Sequence, residues 1–394
     1  MKFESILFIS HSGPFPPRDG KRQRTQALLQ ALSSGYQVDF LIINHESDFR
    51  LAKEQFSSES VRFLNYASQI SLWERLKHKL GFVFPYSFNL AKYIQSLCSQ
   101  TDYAFVFSRY IHPVAHIPSD QKIIADIDDD FEEQYKSKIR NAKNLYQRLR
   151  LNQIYRLNRG SYKKLLRKLD LAITVKEDKI LSNSFFLPNL PFQLIQDNSI
   201  KFRENRSDSI LFVGKLTYPP NLEGIKWFMR NVFPLVQKTH PNAILTIVSN
   251  LDSGDQEFLD LVKANQAIQL KINVENLSLV YQSNALAIAP IFQGAGSNIK
   301  VIEALMMGKP IVTSSFGGRG FEEFLIDGLI QFSEFAEDFA LKIGELLGDK
   351  DKLGVIQKLA FDKFHSNYSL DKWNEKLLNS LVEITTSNKK KRSE

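Results

Sequence analysis

Short apolar runs rich in β-forming residues alternate with helix-forming stretches along most of this chain, in two series parted by a polar break. The first series is Ile6–Ser10, Val38–Ile43, Val61–Asn65, Tyr103–Phe107, Lys122–Ile127 and Leu171–Val175. The second is Ile210–Val213, Ala243–Val248, Gln269–Val274, Ala285–Ala289, Ile311–Ser314 and Leu329–Phe332. Helical stretches separate several of the runs, as Arg22–Ser33 does before Gly35 stops it. Strands alternating with helices fit parallel sheets joined by crossover helices. Leu187-Pro188-Asn189-Leu190-Pro191 and the polar stretch Lys201–Asp208 divide the series. The pattern predicts an α/β chain of two doubly wound, Rossmann-like domains facing a cleft, with ligands bound beyond the carboxyl ends of the strands. The expected boundaries are 1–190 for the first domain, 191–208 for a linker, 209–368 for the second domain, and 369–394 for a last helix and basic tail.

A length of 394 residues suits two cores of roughly 150–200 residues each. The single cysteine, Cys98, excludes an internal disulfide and a cysteine-based zinc cluster, and points to a reducing compartment. The opening Met1–Ser10 carries Glu4 and is too short for a secretory leader, so it reads as a buried strand. No apolar run approaches the roughly 20 residues needed to span a bilayer. The expected location is the cytoplasm, with peripheral attachment to the inner face of the membrane as one form of it.

The net charge of +8 is unevenly spread, because Lys136 to Lys168 holds twelve basic residues and no Asp or Glu, and Lys389–Arg392 adds a basic tail. Such a stretch is either a solvated helical face or a surface attracted to an anionic membrane. Nucleic acid would need stacking aromatics, and this stretch has only Tyr146, Tyr155 and Tyr162. Ser71–Ile94 mixes Trp73, Phe82, Phe84, Tyr86, Phe88 and Tyr93 with Arg75, Lys77, Lys79 and Lys92. That mixture suits an interfacial segment or a set of core aromatics.

The chemistry concentrates between Ile288 and Val312. A buried strand ends at Pro290, a loop with Gly294 and Gly296 follows, and Ser297 or Asn298 can cap a helix that Gly308 and Pro310 end. Ile299, Ile302 and Met306 form its packed face, while Lys300, Glu303 and Met307 share another. The helix start offers free backbone N–H groups, and the two glycines let an anion approach them. Lys300 in the first turn opposes the helix dipole unless an anion is shared between them. Glu303, a turn on, is placed to accept hydrogen bonds from sugar hydroxyls. The unit suits a phosphorylated ribose or sugar, or else is an ordinary capped helix with an exposed Lys–Glu pair.

This stretch resembles the donor-binding signature of retaining glycosyltransferases of family 4, which have the GT-B fold. The family pattern is an acidic residue, seven residues, then Glu, Ala, a small or apolar residue and Gly-x-Pro. Glu303-Ala304-Leu305-Met306-Met307-Gly308-Lys309-Pro310 matches its second half, with Glu303 as the ribose-binding acid. The first acidic position falls on Ala295, a departure that removes the carboxylate beside the transferred sugar. Leu211-Phe212-Val213-Gly214-Lys215-Leu216 resembles the family's strand ending in Gly and a basic residue that contacts the donor diphosphate. Tyr218-Pro219-Pro220-Asn221 then starts a helix, with Asn221 as its expected cap. The family's second Lys is missing from Leu222-Glu223-Gly224, and Lys300 is expected to supply that charge.

The first domain matches more loosely. His11–Gly20 resembles the family's first glycine-rich loop, which implies a phosphate or acceptor role for Gly20 and Arg24. By strand order Asp128 falls where many relatives carry an active-site His, and Arg109 ends a neighbouring strand. The acids Asp126, Asp128, Asp129 and Asp130 are expected to repel one another and raise some of their pKa values, which suits acid–base work. Asp126-Ile127-Asp128 also spells the metal-holding Asp-x-Asp of the other glycosyltransferase fold. The two α/β halves favour the metal-independent fold, and His11, His112 and His116 are not spaced as a metal site.

The resemblance implies a hexosyltransferase-type enzyme without cofactor or metal. It would move sugar from a nucleoside diphosphate sugar to a glycan, lipid-linked or protein acceptor hydroxyl, with retention, in cell-surface glycan or glycoconjugate synthesis. Donor contacts would come from Gly214, Lys215, Gly294, Gly296, Ser297, Asn298, Lys300 and Glu303, and catalytic groups on the acceptor side from Asp128 and Arg109. The first domain would be the acceptor side, the second the donor side, with the amphipathic Lys372–Thr386 crossing back to the first. A sugar-nucleotide epimerase and a non-catalytic partner subunit of the same fold remain open alternatives.

Overall fold

In a computed structural model of the chain, all twelve apolar runs become strands, and a thirteenth, Ser184–Phe186, joins them. The structure describes residues 3–16, 20–67, 76–77, 79–84, 86–128, 130–142, 144–175, 182–195, 200–250, 254–294 and 298–387. The first sheet holds β1 (Ser5–Ser10), β2 (Gln37–Ile43), β3 (Val61–Tyr66), β4 (Val106–Arg109), β5 (Ile123–Ile127), β6 (Leu171–Thr174) and β7 (Ser184–Phe186). Its order is β3-β2-β1-β4-β5-β6-β7. The second holds β8 (Ser209–Val213), β9 (Ile244–Ser249), β10 (Ile268–Ile272), β11 (Leu286–Ala289), β12 (Ile311–Thr313) and β13 (Ile330–Phe332), ordered β10-β9-β8-β11-β12-β13. The described pairings are all parallel. Both sheets are therefore doubly wound, as the alternation predicts, and each reverses direction beside its first strand, between β1 and β4 and between β8 and β11.

Central strands such as Ile6-Leu7-Phe8-Ile9 are buried on both faces, which is why they read as continuous apolar runs rather than as alternation. On one face of the first sheet, Phe63, Phe40, Phe8 and Phe107 stand in register on four neighbouring strands. Their rings pack tilted or edge-on, with the Phe8 centroid 4.7 Å from Phe40 and 5.1 Å from Phe107. Aromatic pairs across strands hold register as well as area.

Six helices carry or position the candidate functional groups: α1 (Gly20–Gly35), α2 (Phe131–Arg140), α3 (Leu145–Leu166), α4 (Pro219–Trp227), α5 (Ile299–Met306) and α6 (Leu370–Ser387). The chain divides into two compact units, Met1–Phe192 with Leu370–Glu394, and Gln193–Ser369. Helix α6 belongs to the first: Trp373, Leu377 and Leu381 are buried, the Trp373 indole donates to the Pro188 carbonyl at 2.8 Å, and Leu378 lies against Gly35. The expected linker 191–208 needs correction, because its polar part is bound into the second unit. The Asn205 amide donates to Gln357 Oε1 (2.9 Å), Gln357 Nε2 returns a bond to the Asn205 carbonyl (2.7 Å), and the Asn205 side chain donates to the Gln282 carbonyl (3.0 Å). No described helix is long and apolar enough to cross a membrane. The basic tail Lys389–Arg392 lies outside the described residues, as do Trp73 and Arg75.

Candidate donor site and the ion network of the first domain

In the second unit, the loops leaving β8 and β11 part company where the strand order reverses, which leaves a crevice between them. Gly214 and Lys215 stand on the first loop and Gly294 on the second. Lys215 is exposed just past β8. Its carbonyl accepts from the Tyr218 amide at 3.2 Å and from Asn221 Nδ2 at 3.0 Å. Asn221 is thus not the helix cap; Tyr218 occupies that position, and Asn221 sits buried in the first turn of α4. Its Oδ1 accepts from Lys300 Nζ at 2.5 Å. One amide ties the Lys215 loop to the Lys300 ammonium, although the three residues come from opposite sides of the reversal. The Lys300 ammonium also lies 5.4 Å from the Phe212 ring on β8.

Helix α4 reaches this point because Gly224 has no side chain. A Cβ there would lie 1.9 Å from the Pro290 carbonyl oxygen, so the helix packs directly on the end of β11. Gly224→Ala is expected to cost about 3 kcal/mol through forced displacement of backbone, read as a lower midpoint in urea denaturation; an unchanged midpoint would show that the helix can shift freely.

Gly294 has φ +135°, and a Cβ on it would lie 3.0 Å from the Tyr218 hydroxyl. The expected need for glycine is met there for a conformational reason as well as a spatial one. Gly296 and Ser297, with Ala295 beside them, lie outside the described residues. Asn298 precedes α5 at the N-cap position but does not cap it with its side chain. That amide donates instead to the Gly317 carbonyl at 2.8 Å. At its other end α5 closes as expected: Gly308 has φ +67°, its amide donates to the Leu305 carbonyl at 3.0 Å, and the Lys309 amide donates to Ala304 at 2.8 Å.

Glu303 is buried one turn into α5, and the Tyr281 hydroxyl donates to its Oε2 at 3.2 Å. Burial pushes the Glu303 carboxyl up to about 7, against the opposing pulls of Tyr281 and Lys300. Burial likewise pushes the Lys300 ammonium down to about 8, with Glu303 working the other way. Both groups sit where a modest change in surroundings moves a proton at neutral pH. The sequence reading missed Tyr281, the Asn221 bridge and the loop after β12. At the end of β12 the Thr313 hydroxyl donates to the Ala289 carbonyl (2.6 Å), and in the loop the Gly317 amide donates to Ser314 Oγ (2.9 Å) and the Arg319 guanidinium lies 3.6 Å from the Phe316 ring. The run Phe316-Gly317-Gly318-Arg319-Gly320 was its visible signal. A Cβ on Gly317 would fall 2.1 Å from Thr313 Oγ1.

The first unit brings four of its candidate groups into one buried network. Asp126, at the end of β5, is clamped by Arg24 Nη2 (2.6 Å) and Nε (2.9 Å) from α1 and by Arg109 Nη1 (2.6 Å) from β4. Arg109 Nη2 also holds Asp128 at 2.9 Å. Arg24 Nη1 donates onward to Asn189 Oδ1 (3.0 Å) and to the carbonyls of Leu187 and Pro188 (3.2 Å each).

Two expectations are corrected by this network. Arg24, only 3% exposed, is turned inward and is not offered to a phosphate. Gly20 is the first residue of α1, and 17–19 before it lie outside the described residues. Asp128 is not raised by neighbouring acids. Burial alone would raise it, but the charges of Arg109 and Arg24 and the bonds from Arg109 and Asn189 outweigh that and hold it below the usual range. Asp126 gives both oxygens to guanidinium groups and Asp128 gives one to Arg109, so the Asp-x-Asp pair is an element of the ion network. Among the described residues no group of three His, Cys, Asp or Glu is placed to hold a metal ion. Arg109 is fully buried and acts inside the network; Asp129 lies outside the described residues.

Residues 207–349 match the family model of the group 1 glycosyl transferases. By that match this segment is similar to a group 1 glycosyltransferase domain. It contains Lys215, Asn221, Tyr281, Lys300 and Glu303. A 44.6 kDa protein of the cps region of Klebsiella pneumoniae is 24% identical over 376 residues, covering 91% of this chain and 94% of that protein. Among solved structures, a glycosyltransferase of Rickettsia africae aligns with TM-score 0.65 at 15% identity, over 98% of this chain and 100% of the other. HepE of Anabaena, solved in complex with UDP-glucose, aligns with TM-score 0.61 at 12% identity, over 96% of this chain and 100% of its own. At such identities the likeness concerns the fold, the GT-B arrangement of two doubly wound domains.

Proposed function

We propose that this protein transfers a hexose from a nucleoside diphosphate sugar to an acceptor hydroxyl, with retention at the anomeric carbon and without a metal ion, in the making of a surface polysaccharide. The observation that carries the reading is the Lys215–Asn221–Lys300 tie, set across the strand reversal one helical turn from a buried Glu303. The diphosphate lies against the two ammonium groups and the first amides of α5, where charge builds on the leaving group as the glycosidic bond breaks. Glu303, once ionised, accepts from the ribose hydroxyls, and Tyr281 keeps its carboxylate aimed. Asp128 and Arg109 act as positioning residues that fix the carboxyl ends of β4 and β5. The UDP-glucose held by the Anabaena structure makes UDP sugars the first donors to try, and the cps region of the Klebsiella relative supports a capsule-like product.

Glu303→Ala is expected to weaken binding of the UDP sugar by about tenfold to a hundredfold, the worth of hydrogen bonds to a charged group. Titration calorimetry against UDP-, GDP-, ADP- and dTDP-sugars measures this and selects the base. Equal donor affinity in the two proteins would remove Glu303 from the site.

A further inference from the structure

Helix α3 shows two different sides. Ile154, Asn158, Tyr162 and Leu165 turn inward, where Tyr162 donates to Asp130 at 2.6 Å and Asn158 donates to the Gly81 carbonyl at 2.8 Å. At about 100° per residue, the opposite side collects Leu145, Tyr146, Leu149, Arg156, Leu157, Lys163 and Lys164. In the first turns of this helix residues 145–150 are all exposed, with Leu145 at 71%, Tyr146 at 72% and Leu149 at 61%. Arg148 and Arg150 stand among them, and neither has a carboxylate partner among the described residues. Glu132 on α2 pairs with Lys136, Arg159 and Lys163, which leaves Arg156, Lys164, Arg167 and Lys168 without a carboxylate as well. A purely solvated basic face has no use for three outward leucines and a tyrosine.

We propose that this outer side of α3 seats the first domain on an anionic lipid bilayer, with Leu145, Tyr146 and Leu149 entering the boundary between headgroups and acyl chains and the arginines and lysines lying at the phosphates. An interfacial helix of this kind sinks about 5–10 Å into that boundary. Charge complementarity selects the partner: the stretch Lys136–Lys168 contains no acid, and each cation near an anionic surface raises partition about fivefold. RNA is disfavoured by the geometry. Of the three tyrosines in the stretch, Tyr155 bonds Glu132 and Tyr162 bonds Asp130 on the inner side, which leaves Tyr146 as the one ring able to stack from the outer side.

Co-sedimentation of the full chain with phosphatidylcholine vesicles, with and without phosphatidylglycerol, tests this. The wild type should bind the phosphatidylglycerol vesicles at least tenfold better and should lose that preference as salt rises. The variant Leu145→Ser, Tyr146→Ser, Leu149→Ser should bind about a hundredfold more weakly, these three side chains losing most of their buried area. The variant Arg148→Gln, Arg150→Gln, Arg156→Gln should fall by about a hundredfold too, as three charges at fivefold each require. Unaltered thermal midpoints keep folding out of the comparison, since all six positions are exposed. Equal binding to both vesicle types, full binding by either variant, or single-stranded RNA bound more tightly than the vesicles would each overturn the proposal.

Discussion

Replacing Lys215 and Lys300 together by alanine is expected to lower turnover by about a thousandfold while the protein keeps its melting temperature. One preorganised donor at a developing negative charge is worth about a hundredfold to a thousandfold. Lys300 is held in place by Asn221 before any ligand arrives. Lys215 is exposed and freely placed, so its single replacement should cost less than that of Lys300. Release of the nucleoside diphosphate under saturating donor measures the effect, and near-normal turnover in the double variant would sink the charge argument. The pH profile is a second reading of the same site. Burial pushes Glu303 up to about 7 and Lys300 down to about 8. On the proposed roles, productive donor binding needs Glu303 ionised, which fails as pH falls below about 7. It also needs Lys300 protonated, which fails as pH rises above about 8. The ratio kcat/KM should therefore peak between those values, and Lys300→Arg should extend the alkaline limb, because a guanidinium stays charged. An alkaline limb unchanged by that substitution would assign the loss to another group.

The strands and helix α5 were legible because both are written in local pattern. Buried parallel strands are continuous apolar runs, and α5 begins and ends on residues with their own chemical signals, Asn298 before it and Gly308 after it. Strand β7 escaped because Ser184–Phe186 is a three-residue edge strand, only partly buried. The ion network escaped for a different reason. Arg24 and Asp126 are 102 positions apart and Arg109 and Asp126 are 17 apart, so a count of neighbouring acids found repulsion where the fold supplies two guanidinium groups. Lys300 was read as the missing cation of the β8 loop, and Asn221 as a helix cap. The structure joins those two side chains across 79 positions, which no spacing rule shows. Tyr110 holds φ +76° just after β4 with no glycine or asparagine to announce it.

Asp126→Ala carries the largest expected loss of stability. It strips partners from Arg24 and Arg109, which are 3% and 0% exposed, and leaves two cations buried. Removing one member of such a buried set costs about 3–5 kcal/mol, because the remaining charge has no water to return to. Set against a total of about 5–15 kcal/mol for a domain, that is a large share of the first unit's stability, read as a clearly lowered melting temperature. The damage should spread along a defined path. Arg24 holds the carbonyls of Leu187 and Pro188, and Pro188 also receives the Trp373 indole of α6, so loosening Arg24 frees the seat of the last helix. The second unit, with its own sheet, should melt near its original temperature, and calorimetry should show two separated transitions where the parent shows closer ones. The set can also be removed as a whole. Arg24→Met, Arg109→Met, Asp126→Leu and Asp128→Asn together leave no buried charge of the network, and this variant should recover part of the loss, as apolar replacement of buried ion sets does. Acid adds a further check. Asp128 has its folded value held below the ordinary 3.8, so its stabilising contribution is present above 3.8 and is lost as pH falls through the folded value. Arg109→Met should therefore flatten the low-pH fall in stability of the first unit. A loss of under about 1 kcal/mol in Asp126→Ala, within the range of a surface pair, would mean that water reaches the network and that it does not hold the ends of β4 and β5 in place.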